Sequence, residues 1–154
     1  MKFRYDTYCG LYCGACGVIN AIKNGNFEEL AKKHNREPEE LECYGCKITA
    51  TDKKNKCSFI VCAVNKGVEF CFECKEYPCA MLKKFREDEY PYHSVIFKNN
   101  DRIKEIGLDR WLSEQEKRWN CPACGGHFSW HDEKCGNCGA KIYSCREEEQ
   151  DLVG

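Results

Sequence analysis

The sequence predicts a small, metal-stabilised, mostly α-helical N-terminal domain with a helical connector, followed by a C-terminal zinc-ribbon β-hairpin. The chain has 154 residues, which is enough for one ordinary domain or two small ones. Fifteen of them are cysteine, whereas Leu, Ile, Val and Phe together supply only 29. Bonds through cysteine must therefore stabilise a chain whose apolar core is thin. The net charge of -1 and the 12% of aromatic residues argue against disorder.

The cysteines are expected to bind metal rather than to form disulfides. Residues 1–6 carry no apolar signal segment ahead of the first cysteines, and no stretch of the sequence is apolar enough to span a membrane. We therefore expect a cytoplasmic protein, in which thiols stay reduced. An odd number of cysteines also cannot all pair within one chain.

The positions of the cysteines divide the chain into parts. Ten lie between Cys9 and Cys79, none lies from 80 to 120, and five lie between Cys121 and Cys145. This distribution predicts a cysteine-rich metal-binding domain over 1–87, a helical connector over 88–118, a zinc ribbon over 119–145 and an acidic tail over 146–154.

Helix signals occur in the N-terminal part and in the connector. Asn26 and Glu29 have the spacing of a capping box at the start of a helix over 27–33. Another helix is predicted over 57–66, where a glycine follows it. In the connector, apolar residues at helical spacing on both sides of Gly107 predict two helices.

The C-terminal part contains two Cys-x-x-Cys pairs, each followed by a glycine that allows a tight turn. Each pair brings two thiolates to one cation, and two pairs complete the tetrahedral four-sulfur site that Zn²⁺ prefers. Short β-prone runs at 127–130 and 141–144 are typical of a hairpin. This part therefore resembles a zinc ribbon, with iron in a rubredoxin-like site as the lesser alternative. The predicted ligands are Cys121, Cys124, Cys135 and Cys138.

A site with four thiolates leaves no coordination position for water or substrate, so we expect its role to be structural. Because the shell is full, His127 and His131 are predicted to be exposed residues rather than ligands. Cys145 lies outside the pairs and is expected to be a free thiol.

The N-terminal part contains three further Cys-x-x-Cys pairs, more than packing alone would require. Our preferred division joins the pair ending at Cys16 to the pair ending at Cys46 in one four-thiolate site. A second site takes Cys57, the third pair, and either Cys62 or Cys79. Individual assignments stay open, and an iron–sulfur cluster held by four of these thiolates is the alternative to zinc. The candidate ligands are Cys9, Cys13, Cys16, Cys43, Cys46, Cys57, Cys62, Cys71, Cys74 and Cys79.

Three motifs in this part carry a family resemblance. Residues 8–16 read Tyr-Cys-Gly-Leu-Tyr-Cys-Gly-Ala-Cys, residues 43–46 read Cys-Tyr-Gly-Cys, and residues 62–79 carry four further cysteines. These motifs resemble a cysteine-rich family of unknown function, DUF3795, over roughly residues 2–87. The resemblance implies that all ten N-terminal cysteines belong to one family pattern, and it implies no activity.

The case for an enzyme is weak, and the question stays open. The spacing from Cys9 to Cys16 matches the cluster motif of radical S-adenosylmethionine enzymes, but the chain is too short for their barrel. A thioredoxin-type pair at Cys71 and Cys74 lacks the surrounding strand–helix–strand unit. The predicted function is a zinc-binding structural or interaction module, with an iron–sulfur redox or sensor protein as the alternative.

Charge and composition favour no particular partner. The near-neutral charge and the pI of about 6.4 disfavour nucleic acid without excluding it. A protein partner is left open, and no membrane partner is expected. The basic segment over 47–56, or Phe128 and Trp130, would present the surface for a protein or nucleic acid.

Overall fold

The computed structural model describes residues 3–49 and 57–153. Within these residues the chain forms nine α-helices, together with 3₁₀ turns at Cys13–Ala15, Cys71–Glu73 and Pro91–His93. The helices are α1 (Gly17–Asn24), α2 (Phe27–Lys33), α3 (Pro38–Leu41), α4 (Cys46–Thr49), α5 (Ser58–Lys66), α6 (Ala80–Arg86), α7 (Ile96–Ile106), α8 (Leu108–Arg118) and α9 (Cys145–Val153).

The ends of the N-terminal helices follow local sequence signals. Gly25 and Gly67 end α1 and α5 with φ angles of +78° and +68°, a conformation that favours glycine. Helix α2 covers the predicted residues, but the Asn26 side chain makes no capping hydrogen bond. A capping interaction occurs instead at α3, where the Glu40 carboxylate accepts a hydrogen bond from the Glu37 amide.

The connector forms α7 and α8, which confirms the prediction of two helices separated by Gly107. The two helices bury Ile103 and Trp111. On their outer side, Arg102 and Glu114 form an exposed ion pair with 2.6 Å between Nη2 and Oε1. Exposed ion pairs add little to stability because water screens them, so apolar burial is the main interaction that holds these helices in place.

The largest apolar core joins the N-terminal and C-terminal parts. Trp111 is fully buried and contacts Tyr12 edge to face, with 5.9 Å between the ring centroids. Two cysteines of the C-terminal pairs, Cys121 and Cys135, belong to the same core. The two cysteine-rich parts therefore share one core. Its buried members are Tyr12, Ala15, Ile103, Trp111, Trp119, Cys121, Phe128, Cys135, Ile142 and Cys145.

Two smaller cores lie around the N-terminal cysteines, and Cys71 packs against both. Helix α7 is tied to the same region by two buried amides. Asn99 donates a hydrogen bond to the Gly10 carbonyl over 2.9 Å, and Asn100 donates to the Cys9 carbonyl over 3.0 Å. The connector is therefore part of the N-terminal packing. The buried members of these cores are Tyr8, Ile60 and Ala63 in one, and Cys9, Leu82 and Ile96 in the other.

The predicted C-terminal zinc-ribbon β-hairpin is wrong. Residues 3–49 and 57–153 contain no β-strand, and the backbone bridges found there are isolated. Two of these bridges, Asn120 with His127 and Lys134 with Lys141, each close the loop over one Cys-x-x-Cys pair. Because each loop closes on itself, the two loops do not form a ladder with each other.

Backbone partners outside the expected hairpin explain this difference. The Trp130 amide donates to the Ala15 carbonyl over 3.0 Å, so the first β-prone run pairs with the N-terminal part. The second run ends at Ser144, whose hydroxyl accepts a hydrogen bond from the Glu147 amide at the start of α9. A short alternating pattern does not specify which segment it pairs with. The contacts with Ala15 and with the start of α9 replace the pairing that was expected between the two runs.

The acidic tail forms helix α9 and packs against the connector. The Glu148 carboxylate is mostly buried and accepts hydrogen bonds from Arg118 over 3.0 Å and from Lys98 over 3.2 Å. No helix in the described part of the chain is both long and apolar enough to cross a membrane.

Candidate metal centres

Four cysteine side chains converge in the C-terminal part. The Sγ atoms of Cys121 and Cys138 lie 3.7 Å apart, and those of Cys124 and Cys135 lie 3.6 Å apart. All four sulfurs lie within 4.8 Å of one another. Around one ion with metal–sulfur bonds of about 2.3 Å, tetrahedral thiolates stand about 3.8 Å apart. This group could therefore hold a metal ion with little movement of its side chains.

The two Cys-x-x-Cys loops have the same backbone hydrogen bonds. The Cys121 amide donates to the Gly126 carbonyl over 2.7 Å, and the Gly125 amide donates to the Cys121 carbonyl over 2.8 Å. In the second loop the Gly139 amide donates to the Cys135 carbonyl, also over 2.8 Å. Gly125 and Gly139 have φ angles of +77° and +76°, which favour glycine. The glycine after each pair thus closes the loop that aims both thiols to one side.

Amide groups surround the sulfur of Cys124. The Asn137 side-chain amide lies 3.4 Å from this sulfur and the Gly126 backbone amide lies 3.3 Å from it. The hydrogen bonds from Asn137 and Gly126 lower the pKa of Cys124 to about 6. Because the thiolate is the form that binds metal, this environment favours metal binding at neutral pH.

The two histidines between the pairs are both exposed, and their rings make different contacts. His127 Nε2 lies 2.7 Å from the Gly14 carbonyl oxygen, and its Nδ1 lies 2.9 Å from Asn120 Oδ1. His131 contacts the Tyr92 ring, with 5.5 Å between centroids. His127 therefore links the first C-terminal loop to the N-terminal part, a role that no local sequence signal indicates.

A second set of cysteines lies in the N-terminal part. The sulfurs of Cys13 and Cys46 lie 3.7 Å apart, and their hydrogen bond, together with burial, raises the pKa of Cys13. Burial also raises the pKa of Cys16, and Cys43 and Cys46 are among its electrostatic neighbours. The structure thus brings one thiol of each grouped pair into contact, and the four-thiolate grouping itself stays a prediction. Within the described residues, however, the C-terminal set alone has three or more ligand atoms within 4.8 Å of one another.

A buried ion pair lies beside this set. The Lys47 and Asp6 side chains are 1% and 3% exposed, and Nζ and Oδ2 lie 2.9 Å apart. Burial by itself raises the pKa of Asp6, but hydrogen bonds from Arg4 and Lys47 outweigh it and hold that pKa below its usual value. Lys47 also lies 3.7 Å from the centroid of the Phe70 ring. The basic segment over 47–56 therefore begins with a buried lysine, and its residues 50–56 lie outside the described residues.

Four other cysteines line one cavity between α5 and α6. Cys62 lies on α5, Cys71 begins the second 3₁₀ turn, Cys74 follows that turn, and Cys79 precedes α6. The sequence left Cys62 and Cys79 as alternatives, and the structure places both at the cavity. Cys57, which the sequence-based division assigned to this site, is exposed and is not among the lining residues.

The inner and outer thiols of this cavity have different surroundings. The Cys74 sulfur accepts hydrogen bonds from the Glu76 amide over 3.5 Å and from Lys66 Nζ over 3.3 Å, and these lower the pKa of Cys74. Burial raises the pKa of Cys71 to about 12, and the neighbouring thiols add to the rise. Cys74 is therefore the polar edge of the cavity, whereas Cys71 faces the apolar cores.

Cys9 and Cys145 are buried thiols outside these sets. The Cys9 sulfur lies 3.6 Å from the Thr7 hydroxyl, and burial raises the pKa of Cys9 to about 12. Cys145 belongs to the largest core, and burial raises its pKa to about 12 as well. Neither side chain is a reactive, exposed thiolate.

The aromatic side chains suggested as a partner surface are engaged within the protein. Phe128 is 2% exposed and packs against Trp119, with 5.4 Å between ring centroids. Trp130 is partly buried and stacks on Tyr92 at 4.4 Å. Phe128 therefore presents no surface to a partner.

Comparison with known proteins supports the family resemblance. A family model described as a protein of unknown function, DUF3795, matches residues 5–84. The match includes all ten N-terminal cysteines and leaves out the connector and the C-terminal thiols, for which no family match supports a zinc ribbon. No curated protein and no solved structure matches the chain.

Proposed function

Since this chain belongs to the DUF3795 family, whose function is unknown, we propose its role from its own thiol groups. It is a metal-binding protein whose C-terminal cysteines hold one structural zinc ion. The observation that carries the proposal is the convergence of four sulfurs within 4.8 Å of one another. Zn²⁺ accepts such a four-sulfur shell because it has no geometric preference of its own.

The proposed ion would stabilise the fold rather than act on a substrate. Four thiolates complete its shell, so no position remains for water or a substrate. Cys121 and Cys135 belong to the core that also contains Tyr12 and Trp111. An ion bound there joins the two C-terminal loops to that core, and its binding free energy becomes folding free energy. This suits a structural or interaction module with few large apolar residues.

The N-terminal pairs ending at Cys16 and Cys46 would form a further four-thiolate site. The 3.7 Å between the sulfurs of Cys13 and Cys46 supports this extension, since it matches the separation around a single ion. The buried Lys47 cation next to Cys46 would offset part of the negative charge of four thiolates. Cys16 and Cys43 would move toward the other two on binding.

Metal analysis of three forms of the full chain tests the C-terminal site. Zinc per chain is measured by elemental analysis in the wild type, in Cys124→Ser, and in Cys145→Ser as a control that changes a buried cysteine outside the site. We expect Cys124→Ser to lose one zinc ion per chain and Cys145→Ser to keep the wild-type content. Equal zinc in the wild type and Cys124→Ser, or no zinc in either, would overturn the proposal.

A further inference from the structure

We infer that Cys62, Cys71, Cys74 and Cys79 form a separate metal centre, and that this centre takes an iron–sulfur cluster rather than a single ion. The inference goes beyond the proposed zinc site and involves none of its residues. It comes from the arrangement of the four thiols around one cavity and from their separation, compared with the C-terminal thiols.

The four thiols reach the cavity from three different elements. Cys62 comes from α5, Cys71 and Cys74 flank the second 3₁₀ turn, and Cys79 lies at the start of α6. The cavity that they line, together with other side chains, has a volume of about 30 Å³. A single water needs about 10–15 Å³. The cavity thus has room for more than a bare ion.

The separation of the sulfurs favours a cluster. Around one ion, four sulfurs stand about 3.8 Å apart, and the C-terminal thiols already meet this condition. Among the described residues the C-terminal set is the one group with three ligand atoms within 4.8 Å, so no three of the cavity thiols are that close. In a cluster the thiolates bind different irons and stand farther apart than around one ion. The cavity thiols therefore do not have the spacing of ligands around one ion.

The walls of the cavity suit an iron–sulfur cluster. They are mainly apolar, with Phe59 and Leu82 among the lining side chains. At the outer edge, Lys66 Nζ lies 3.3 Å and the Glu76 amide 3.5 Å from the Cys74 sulfur. Hydrogen bonds to the ligand sulfurs and a shielded surrounding are the features through which proteins adjust the potential of such clusters. Lys66 would also offset the negative charge of the thiolates.

The test is anaerobic reconstitution of the full chain with ferrous iron and sulfide, followed by counting of iron, acid-labile sulfide and zinc. We expect iron and sulfide in equal amounts, with absorbance near 400 nm, in the wild type. Cys62→Ser and Cys74→Ser should lose both. Cys57→Ser, which changes an exposed cysteine outside the cavity, and Cys124→Ser, which changes the proposed zinc site, should keep both.

A second measurement keeps the inference testable if the cysteine variants fail to fold. Lys66→Met keeps all the thiols, so it should retain the iron but shift the midpoint potential to a more negative value, because the reduced centre loses a neighbouring cation. Lys75→Met, an exposed lysine beside Cys74, is the matched control and should leave the potential unchanged.

Three results would overturn the inference. One is zinc without iron at the cavity in the reconstituted wild type, and another is no metal there. The third is loss of iron in Cys57→Ser while Cys62→Ser keeps it. Loss of zinc in Cys124→Ser without loss of iron would support two separate centres. Failure to find zinc at the C-terminal site would not affect the inference about the cavity.

Discussion

Replacing Asp6 by Asn should strongly destabilise the region around Cys13 and Cys46. Asp6 is the buried partner of Lys47, whose side chain is 1% exposed. Without Asp6, the buried Lys47 ammonium keeps the exposed Glu69 carboxylate as an ionic partner, and removal of one partner of a buried pair typically costs about 3–5 kcal/mol. For a chain of this length that corresponds to a fall in the melting temperature of about 6–20 °C.

The matched control is Glu69→Gln. Glu69 is the second carboxylate on Lys47, at 3.3 Å, but its side chain is 68% exposed. Exposed pairs contribute about 0–1 kcal/mol, so this variant should unfold close to the wild type. Thermal and urea unfolding of both variants, followed by circular dichroism, measures the difference. If Asp6→Asn and Glu69→Gln were equally stable, the role given to burial would be refuted.

The same pair predicts a dependence on pH. The pKa of Asp6 is lowered in the folded protein, so its contribution is present above the pKa of the unfolded chain, about 3.9. The contribution is lost as the pH falls through the lower, folded pKa. Between pH 5 and pH 2, the free energy of unfolding should therefore fall more in the wild type than in Asp6→Asn. Urea unfolding at each pH measures this difference.

Three further changes test the packing and the metal. Gly45→Ala should cost more than about 2 kcal/mol in urea unfolding, because its φ is +125° and a Cβ would overlap the Arg4 carbonyl oxygen. Gly17→Ala, with open space at the Cβ position among the described residues, should be nearly neutral. Trp111→Ala should cost about 3–5 kcal/mol. Trp111→Phe should cost about 1 kcal/mol or less, because it also removes a buried Nε1–H group that has no acceptor among the described residues. Similar losses in the two variants would contradict this. Removing zinc with a chelator at pH 7 should lower the melting temperature of the wild type and leave that of metal-free Cys124→Ser unchanged, since structural zinc contributes about 10–16 kcal/mol of binding free energy.

Local sequence signals were sufficient to predict α2, α5, α7 and α8 and the convergence of the C-terminal thiols. Gly67 and Gly107 end helices because only local backbone conformation is involved. The convergence of Cys121 with Cys138 could be predicted for the same reason, since each pair and its following glycine form a self-contained loop.

Features that depend on distant partners could not be predicted from the sequence. The β-hairpin prediction failed because the Trp130 amide pairs with the Ala15 carbonyl rather than with a neighbouring strand. Lys47 looked like part of an exposed basic segment, yet Asp6 and Phe70 enclose its ammonium group. Likewise, the placement of both Cys62 and Cys79 at one cavity depends on how α5 and α6 pack, which no spacing rule specifies.

The hydrogen bond between His127 and the Gly14 carbonyl has a consequence for how the chain is made. It joins residues 113 positions apart, and the amide of Trp130 makes a similar link to Ala15. Contacts of such long range form slowly, because the intervening chain must first be brought together. During synthesis, Cys13 and Cys16 leave the ribosome long before the residues that cover their loop exist. These N-terminal thiols therefore spend a long time exposed to oxidation or to the wrong metal, and rapid metal capture by the N-terminal part would shorten that interval.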